Sequence, residues 1–450
     1  MRSFTILAAL LGAVSAAPAV GPRDELSFTI ASPGGAQDVV VTNENTLNGT
    51  YHSSETTVLG NDTFHASNAM GGSLPLKFIN NAGNGQVYAY VTGIDSEKRL
   101  VFVKGDGSLV YPSSGGSGAP VPIKEDVSIS LPKKGGTFQM TLPIIMTSGR
   151  VYFSEEKQLS FFMVKTPDGD AVVQPSPTNV KDPSAGISWG FVEFSYTKDK
   201  QLFANISYVD FVGLILSMGL TVKDGAAQLT RGLAAGSVKK ICDGLADQSK
   251  KDKYPWDRMC VANGAGQPIR VLSPDKYDVM NPNDFKNYWT GYVDKVWNQY
   301  TQKPLTIDTQ GAGGKVQCKV SGDELKCGGG DNRAYKKPSA HDIWGCDGGP
   351  FKKQAGDSEV HLAVMARLCA AFVRSTLLSD GGDNQPGPDS SYYKTDPTSH
   401  YSRLVHQLEV DGKGYAFPYD DVNTGDKNAA GVVASGAADT LSVYIGAPPS

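Results

Sequence analysis

Between residues 74 and 156 the chain runs through six short apolar and β-branched stretches. They are "LPLKFINN" (74–81), "QVYAYVTG" (86–93), "RLVFVKG" (99–105), "DVSISLP" (126–132), "GTFQMTLP" (136–143) and "GRVYFSEE" (149–156), each bounded by Gly, Pro, Asn or Asp. Runs of strand length separated by turn residues, with no long helical period, predict a mainly β sandwich or barrel. The same character extends over residues 26–222, with "YPSSGGSGAPVP" (111–122) read as a flexible surface loop. The 51 glycines and 26 prolines suit many short strands and turns, and 19 tyrosines offer aromatic faces for a polar ligand such as a sugar.

After about residue 224 the pattern changes. "NDFKNYWTGYVDKVWNQY" (283–300) places Phe285, Tyr288, Trp289, Tyr292, Val293, Val296, Trp297 and Tyr300 on one face of a predicted helix, where core packing accounts for the aromatics. "SEVHLAVMARLCAAFVRSTLL" (358–378) is apolar nearly all round and predicts a buried helix; a third is expected between about 226 and 249. "GKGYAFPYDDVN" (412–423) and "TLSVYIG" (440–446) return to β. All six cysteines, Cys242, Cys260, Cys318, Cys327, Cys346 and Cys369, lie in the second half. Their even number after a leader implies three disulfides. Proximity favours Cys318–Cys327 and Cys346–Cys369, leaving Cys242–Cys260, but the sequence does not choose among the possible pairings.

The leader is read from Met1-Arg2, the apolar Phe4–Val14 and the small residues Val14-Ser15-Ala16, a signal-peptide pattern too short for a membrane span. The resulting map is a signal peptide over 1–17, an N-terminal extension or extra strands over 18–70, and a β domain over 71–224. A helical α/β domain with the three disulfides follows over 225–405, and a C-terminal return to the β domain over 406–450. Sequons stand at Asn48, Asn61 and Asn205, the last inside a predicted strand.

Two carboxylates interrupt aromatic strand runs: Glu193 in "WGFVEFSY" (189–196) and Asp210 in "SYVDFVG" (207–213). A charge in such a run is costly unless paired or placed in a groove. Alternation puts Gly190, Val192, Phe194 and Tyr196 on a core face, and Trp189, Phe191, Glu193, Ser195 and Thr197 on the other. With a turn at Lys198-Asp199-Lys200 and a returning strand over about Leu202–Val212, both acids share a face for any turn centred between two residues. A turn at Asp199-Lys200 separates them by roughly 13 Å along the strand. A turn between Lys200 and Gln201 makes them diagonal neighbours at about 7–8 Å. Inverting glycosidases hold their acid and base about 6.5–9.5 Å apart and retaining ones about 5–5.5 Å. An exposed polar face, or partners for Lys and Arg, explains two such acids equally well without chemistry.

Net charge is −4 with both signs interspersed, so no basic stripe for nucleic acid is present. No G-x-S-x-G elbow occurs, and His52, His65, His341, His361, His400 and His406 form no triad or H-E-x-x-H pattern. His361 reads as a satisfied core residue. No cysteine spacing suits zinc, and no metal or other cofactor is expected.

The chain resembles glycoside hydrolase family 64, the laminaripentaose-producing β-1,3-glucanases with a thaumatin-like fold. The likeness rests on "LPLKFINN" with "VYAYVTG", "SGRVYFS" (148–154), "FVEFSY", "VDFVG", "GCDGGPF" (345–351) and "YAFPYDDVN", and covers most of residues 70–447. It implies a wide groove between the two domains and inverting, endo-type hydrolysis of β-1,3-glucan to short oligosaccharides. The general acid falls on Glu193 and the general base on Asp210. Ser195 and Thr197, and Asp342, Trp344 and Asp347 of "HDIWGCDGG", are candidate substrate-binding residues, with Tyr419, Asp420 and Asp421 reaching the groove from the return or serving as turn residues. The expected partner is β-1,3-glucan, without nucleic acid or membrane span, for a monomer that is secreted, extracellular or in the cell wall. The alternative is a thaumatin-like protein that binds β-glucan, a wall or a membrane without cutting. Residues before 70 match nothing in the family.

Overall fold

The computed structural model describes residues 27–47, 73–83, 85–197, 199, 201–223, 225–424 and 431–449. The leader and the sequons at Asn48 and Asn61 fall outside the described residues. Strands dominate, in five sheets among the described residues. The largest runs antiparallel in the order Val432–Ser435, Leu202–Asn205, Trp189–Tyr196, Met146–Glu155, Val87–Ile94, Leu100–Val103 and Leu109–Val110, with Ile129–Ser130 also pairing on Val87–Ile94. A five-stranded sheet orders Gln228–Thr230, Leu216–Val222, Ala438–Ile445, Leu74–Asn80 and Thr137–Leu142, its Ala438–Ile445 and Leu74–Asn80 strands running parallel. The two pack face to face: Phe78 of one meets Phe153 of the other edge-on at 5.2 Å between centroids. Alternating burial along Leu74–Asn80 and Trp189–Tyr196 shows why these sequences became strands, one face apolar and buried and the other half-exposed.

A bulge between Met146 and Gly149 sets the phase of the central strand. Ser148 takes a left-handed φ of 47° there, and the Phe194 ring lies over Gly149 so closely that a Cβ would stand 2.7 Å from it. The extra residue re-aims the strand so that Arg150 falls directly opposite Glu193.

The helices depart from the expected bounds. The aromatic helix begins at Thr290 and ends at Gln302; Phe285, Tyr288 and Trp289 are buried but lie in the turn before it. Pro282 and its Asn and Asp neighbours break the helix there, Asn281 closing the preceding Pro274–Met280 helix and Asp284 accepting the Tyr277 hydroxyl at 2.6 Å. The helix expected over 226–249 is Ser237–Asp252, because Gln228–Thr230 instead continues the five-stranded sheet and Gly232 and Gly236 turn the chain. The buried helix is Glu359–Val373, as its apolar run predicts. Residues 412–423 are turns with only a bridge at Tyr415, whereas Val432–Ser435 and Ala438–Ile445 are strands. The 111–122 loop is pinned rather than free, the Ser113 and Ser114 hydroxyls donating to Asp170. No helix among the described residues is long and apolar enough to cross a membrane.

The disulfides are Cys242–Cys260, Cys318–Cys327 and Cys346–Cys369, the pairing that proximity favours. Cys346–Cys369 ties the end of the Ala340–Gly345 helix to Glu359–Val373 across 23 residues. Closing a loop of that length stabilises by about 3 kcal/mol through the unfolded chain. The double substitution Cys346→Ala with Cys369→Ala is therefore expected to lower unfolding free energy by about that amount; an unchanged denaturant midpoint would contradict it.

Candidate active site

Glu193 sits mid-strand in Trp189–Tyr196, between Arg150 on one neighbouring strand and Asn205 on the other. Its alternation is as the sequence reads: Val192, Phe194 and Tyr196 are buried, while Phe191, Glu193 and Ser195 are half-buried. The sequence reading missed Arg150. Its Nε and Nη2 donate to Glu193 Oε1 at 3.1 and 2.8 Å, and its Nη1 donates to Gln174 Oε1, which also accepts the Tyr152 hydroxyl at 2.6 Å. The guanidinium lies over the Phe191 ring at 4.4 Å. Both contacts to the acid fall on Oε1.

Asp210 is placed differently from either register considered above. Glu193 pairs with Asn205 and Tyr196 with Leu202, so the turn is centred on Asp199 itself, not between two residues. That one-residue change alone would put Asp210 on the other face. The strand also stops at Asn205, and the chain crosses to another sheet, where Phe211–Val212 pairs with Pro268–Leu272. Asp210 is thus neither a diagonal neighbour of Glu193 nor on its hairpin partner. Tertiary packing brings the strand of Glu193 against the segment that follows Asp210: Phe191 meets Phe211 at 6.1 Å, and Trp189 meets Phe211 at 4.8 Å.

The Pro274–Met280 helix supplies the partner of Asp210. Ser273 caps it, accepting from Lys276 N, and its own N–H donates to the Asp210 carbonyl at 2.9 Å. Lys276 Nζ then stands 2.8 Å from Glu44 Oε1, 3.3 Å from Asp275 Oδ2 and 3.5 Å from Asp210 Oδ1. Burial alone would favour neutral lysine, but Asp210, Asp275 and Glu44 outweigh it and hold the ammonium proton well above the ordinary range. Burial pushes the Asp275 carboxyl up; Lys276 offsets part of that, while Asp347 and Asp210 add to it.

Between the two ion networks lies a cavity of about 490 Å³, bordered by Arg150, Tyr152, Phe191, Asp210, Phe211 and Lys276 among others. That volume is in the range of small-molecule and sugar-sized sites. The other predicted residues fall unevenly around it. Glu193 itself does not border the cavity and reaches it through Arg150. Ser195 and Thr197 share its strand face and do not border the cavity either, and Thr197 Oγ1 is buried without a partner among the described residues. Asp347 is exposed, and its carboxylate converges with that of Asp275 over Gly345, where a Cβ would stand 2.5 and 2.8 Å from their oxygens. It therefore joins the Asp210 network.

Trp344 and Asp342 need correcting. Trp344 is 3% exposed in a cluster with Trp256, Phe285, Tyr288 and Trp289, so its ring is core and offers no face to a ligand. Asp342 closes a capping box with Ser339, whose N–H and hydroxyl both donate to Oδ2 at 2.8 Å. Asp420 is also elsewhere, buried between Arg374 and His406. The only local sequence signal for the missed cations is the Ser-Pro-Asp-Lys helix start at 273–276 and the alternation of "GRVYFS"; neither says what the side chain meets.

The family model described as β-1,3-glucanase matches residues 72–445. Glucan endo-1,3-beta-glucosidases of Arthrobacter sp. (strain YCWD3) and Cellulosimicrobium cellulans are each 30% identical over 365 residues, covering 79% of this chain. The match spans 62% of the length of each of those relatives. Among solved structures, a laminaripentaose-producing β-1,3-glucanase in complex with laminaritetraose aligns with a TM-score of 0.71 at 27% identity, over 83% of this chain and 98% of that one. A β-1,3-glucanase domain from Clostridium beijerinckii shares the fold at a TM-score of 0.62 and 19% identity, over 83% and 98% of the respective chains.

Proposed function

This chain belongs to glycoside hydrolase family 64, the β-1,3-glucanases, and we propose from that premise that it is a secreted endo-acting enzyme that hydrolyses β-1,3-glucan with inversion, releasing short oligosaccharides. The observation that carries this reading is the cavity bordered by Asp210, Lys276, Phe191 and Arg150, the last of which binds Glu193. Glu193 is the general acid: Arg150 takes Oε1 and fixes the carboxyl plane, leaving Oε2 to give its proton to the glycosidic oxygen. Asp210 is the general base, drawing a proton from the water that attacks the anomeric carbon from the opposite face. Lys276, whose charge the surrounding carboxylates favour, holds the Asp210 side chain in place, and the half-buried Phe191 borders the cavity where the sugar would lie.

Inversion is what the resemblance implies, and it requires the two carboxyl groups to stand about 6.5–9.5 Å apart so that a water fits between them and the sugar. As the proton leaves Oε2 for the departing oxygen, water adds hydroxyl to the anomeric carbon and its second proton goes to Asp210, so charge balances in one step. The division into a thaumatin-like β unit (71–224 with the 406–450 return) and a disulfide-bearing helical unit (225–405) belongs to the same proposal. Its support is the cavity itself, which draws Arg150 and Phe191 from one unit and Lys276 from the other.

The test is to incubate the protein with a linear β-1,3-glucan and follow the new reducing ends by NMR. Oligosaccharides should appear first as α-anomers. Initial β-anomers would overturn inversion, and glucan binding without cleavage would favour the non-catalytic binding protein instead.

A further inference from the structure

Residues 27–47 lie before the range matched by the family, yet they are built into the site. Thr29–Ile30 adds a parallel strand to Cys260–Ala262, and Thr46–Leu47 pairs with Gly169–Val173. Between them the chain is stitched to residues 179–181: Asn179 Nδ2 donates to the Asp38 carbonyl at 2.8 Å, and Ser32 and Gly34 N–H groups donate to Val180 and Lys181. Asn45 folds residues 40–45 into a turn, its Oδ1 accepting from Thr42 N and its Nδ2 donating to the Val40 carbonyl at 2.7 Å. Glu44 then reaches Lys276 at 2.8 Å. The result is a wall of the cavity that contains Asp210, contributed by Val40, Thr42, Glu44 and Asn45.

The end of the Pro274–Met280 helix borders the same cavity. Val40 is 52% exposed, Val279 58% and Met280 40%, and all three border this one cavity. Single exposed apolar side chains are ordinary, but three that border one cavity form a binding patch. A pyranose ring has the matching chemistry, an apolar C–H face bounded by hydroxyls, and the same cavity is bordered by Asp210 and Lys276 as polar partners.

We propose that Val40, Val279 and Met280 form an additional sugar subsite of this cavity, which takes one more unit of a β-1,3-glucan chain on the Asp210 side and which the segment before the family match completes. The inference rests on the proposed glucan-cleaving function. An added subsite rewards only chains long enough to reach it, so it lowers KM for long substrates rather than raising kcat for all.

The experiment compares wild type with the double variant Val40→Ser, Val279→Ser on linear β-1,3-gluco-oligosaccharides of increasing length. The ratio of kcat/KM on the longest to that on the shortest cleaved oligomer should fall about tenfold in the variant, mainly through KM, with an unchanged thermal midpoint. A ratio equal to wild type, or a loss that is uniform over all lengths, would overturn the subsite. If wild type cuts none of the oligomers, the hydrolytic reading fails, and calorimetric titration with the same series decides the subsite separately. Length-dependent loss of affinity in the variant supports it, and unaltered affinity overturns it. A wild-type dimer that the variant dissociates without change in oligosaccharide affinity would make the patch a contact between copies, and would also overturn it.

Discussion

Glu193→Gln and Asp210→Asn should each lower kcat on linear β-1,3-glucan by about 10²–10⁴-fold or more, with KM little changed. Each substitution removes a proton donor or acceptor and keeps its shape. In Glu193→Gln the new amide oxygen would still accept from Arg150, and Arg150 keeps Gln174 as a second acceptor. Asp210 is 40% exposed and is the most distant of the three carboxylates around Lys276, so the amide leaves that ammonium with Asp275 and Glu44. Both variants should therefore match wild type in thermal midpoint and circular dichroism, so that lost rate reports chemistry rather than unfolding. Either one retaining activity within tenfold of wild type would remove that residue from the mechanism. Arg150→Met offers a separate reading: if the arginine only positions the acid, kcat falls while some activity survives.

The second large effect is on stability, at a cluster away from the cavity. Arg374 and Asp420 are almost wholly buried and bonded at 2.9 Å; His406 Nε2 meets the other Asp420 oxygen at 2.9 Å, and Ala416 N–H donates to it at 2.7 Å. Arg374 also donates to the Asp420 and Val422 carbonyls, tying the Glu359–Val373 helix end to the 415–423 turns. Asp420→Ala leaves the buried Arg374 without its carboxylate and His406 with Glu409 alone, and should cost about 3–5 kcal/mol, read from denaturant unfolding. A cost below about 1 kcal/mol would mean that Arg374 is satisfied by carbonyls alone.

The same cluster sets a pH dependence whose sign can be worked out. Burial disfavours charged His406, but Asp420 and Glu409 outweigh it and raise the imidazole from 6.5 to about 10. The folded state thus binds this proton more tightly than the unfolded chain. Its contribution is full below pH 6.5 and is lost as pH rises toward 10. Asp420 moves the opposite way: burial pushes it up, but His406 and Arg374 hold it below 3.8, so its contribution is present above that pH and is lost in stronger acid. Glu409, whose carboxyl burial pushes up, adds a decline that begins as pH rises above 4.5. His406→Gln should flatten the loss of stability between pH 6.5 and 10; an unaltered slope would place its origin elsewhere.

Much of the fold was legible because it follows from local periodicity. Period-two alternation marked Trp189–Tyr196 and gave the direction of Glu193, and the apolar character nearly all round over 358–378 marked the buried helix. Where turn chemistry competed with helical spacing, as at Pro282, the spacing gave a helix that began several residues early. Trp344 shows the limit at the level of one side chain. An aromatic beside acids and glycines reads as a ligand platform, yet four aromatics from residues 256–289 surround it.

By itself, then, the sequence determined most of the strands and core, which cysteines lie near enough to pair, and the direction of Glu193 within its strand. Those follow from neighbours along the chain, where covalent geometry dictates spacing. Tertiary structure alone decided where each carboxylate lies relative to the other. A turn centred on one residue instead of between two changes the face that a strand presents, and a strand that ends at Asn205 sends Asp210 to another sheet. The cations came from still farther away, Arg150 across a bulged strand pair and Lys276 from a helix whose other partner, Glu44, lies 232 residues earlier. Such partners are chosen by the balance of burying a charge against pairing it, a quantity that exists only once the surfaces have come together.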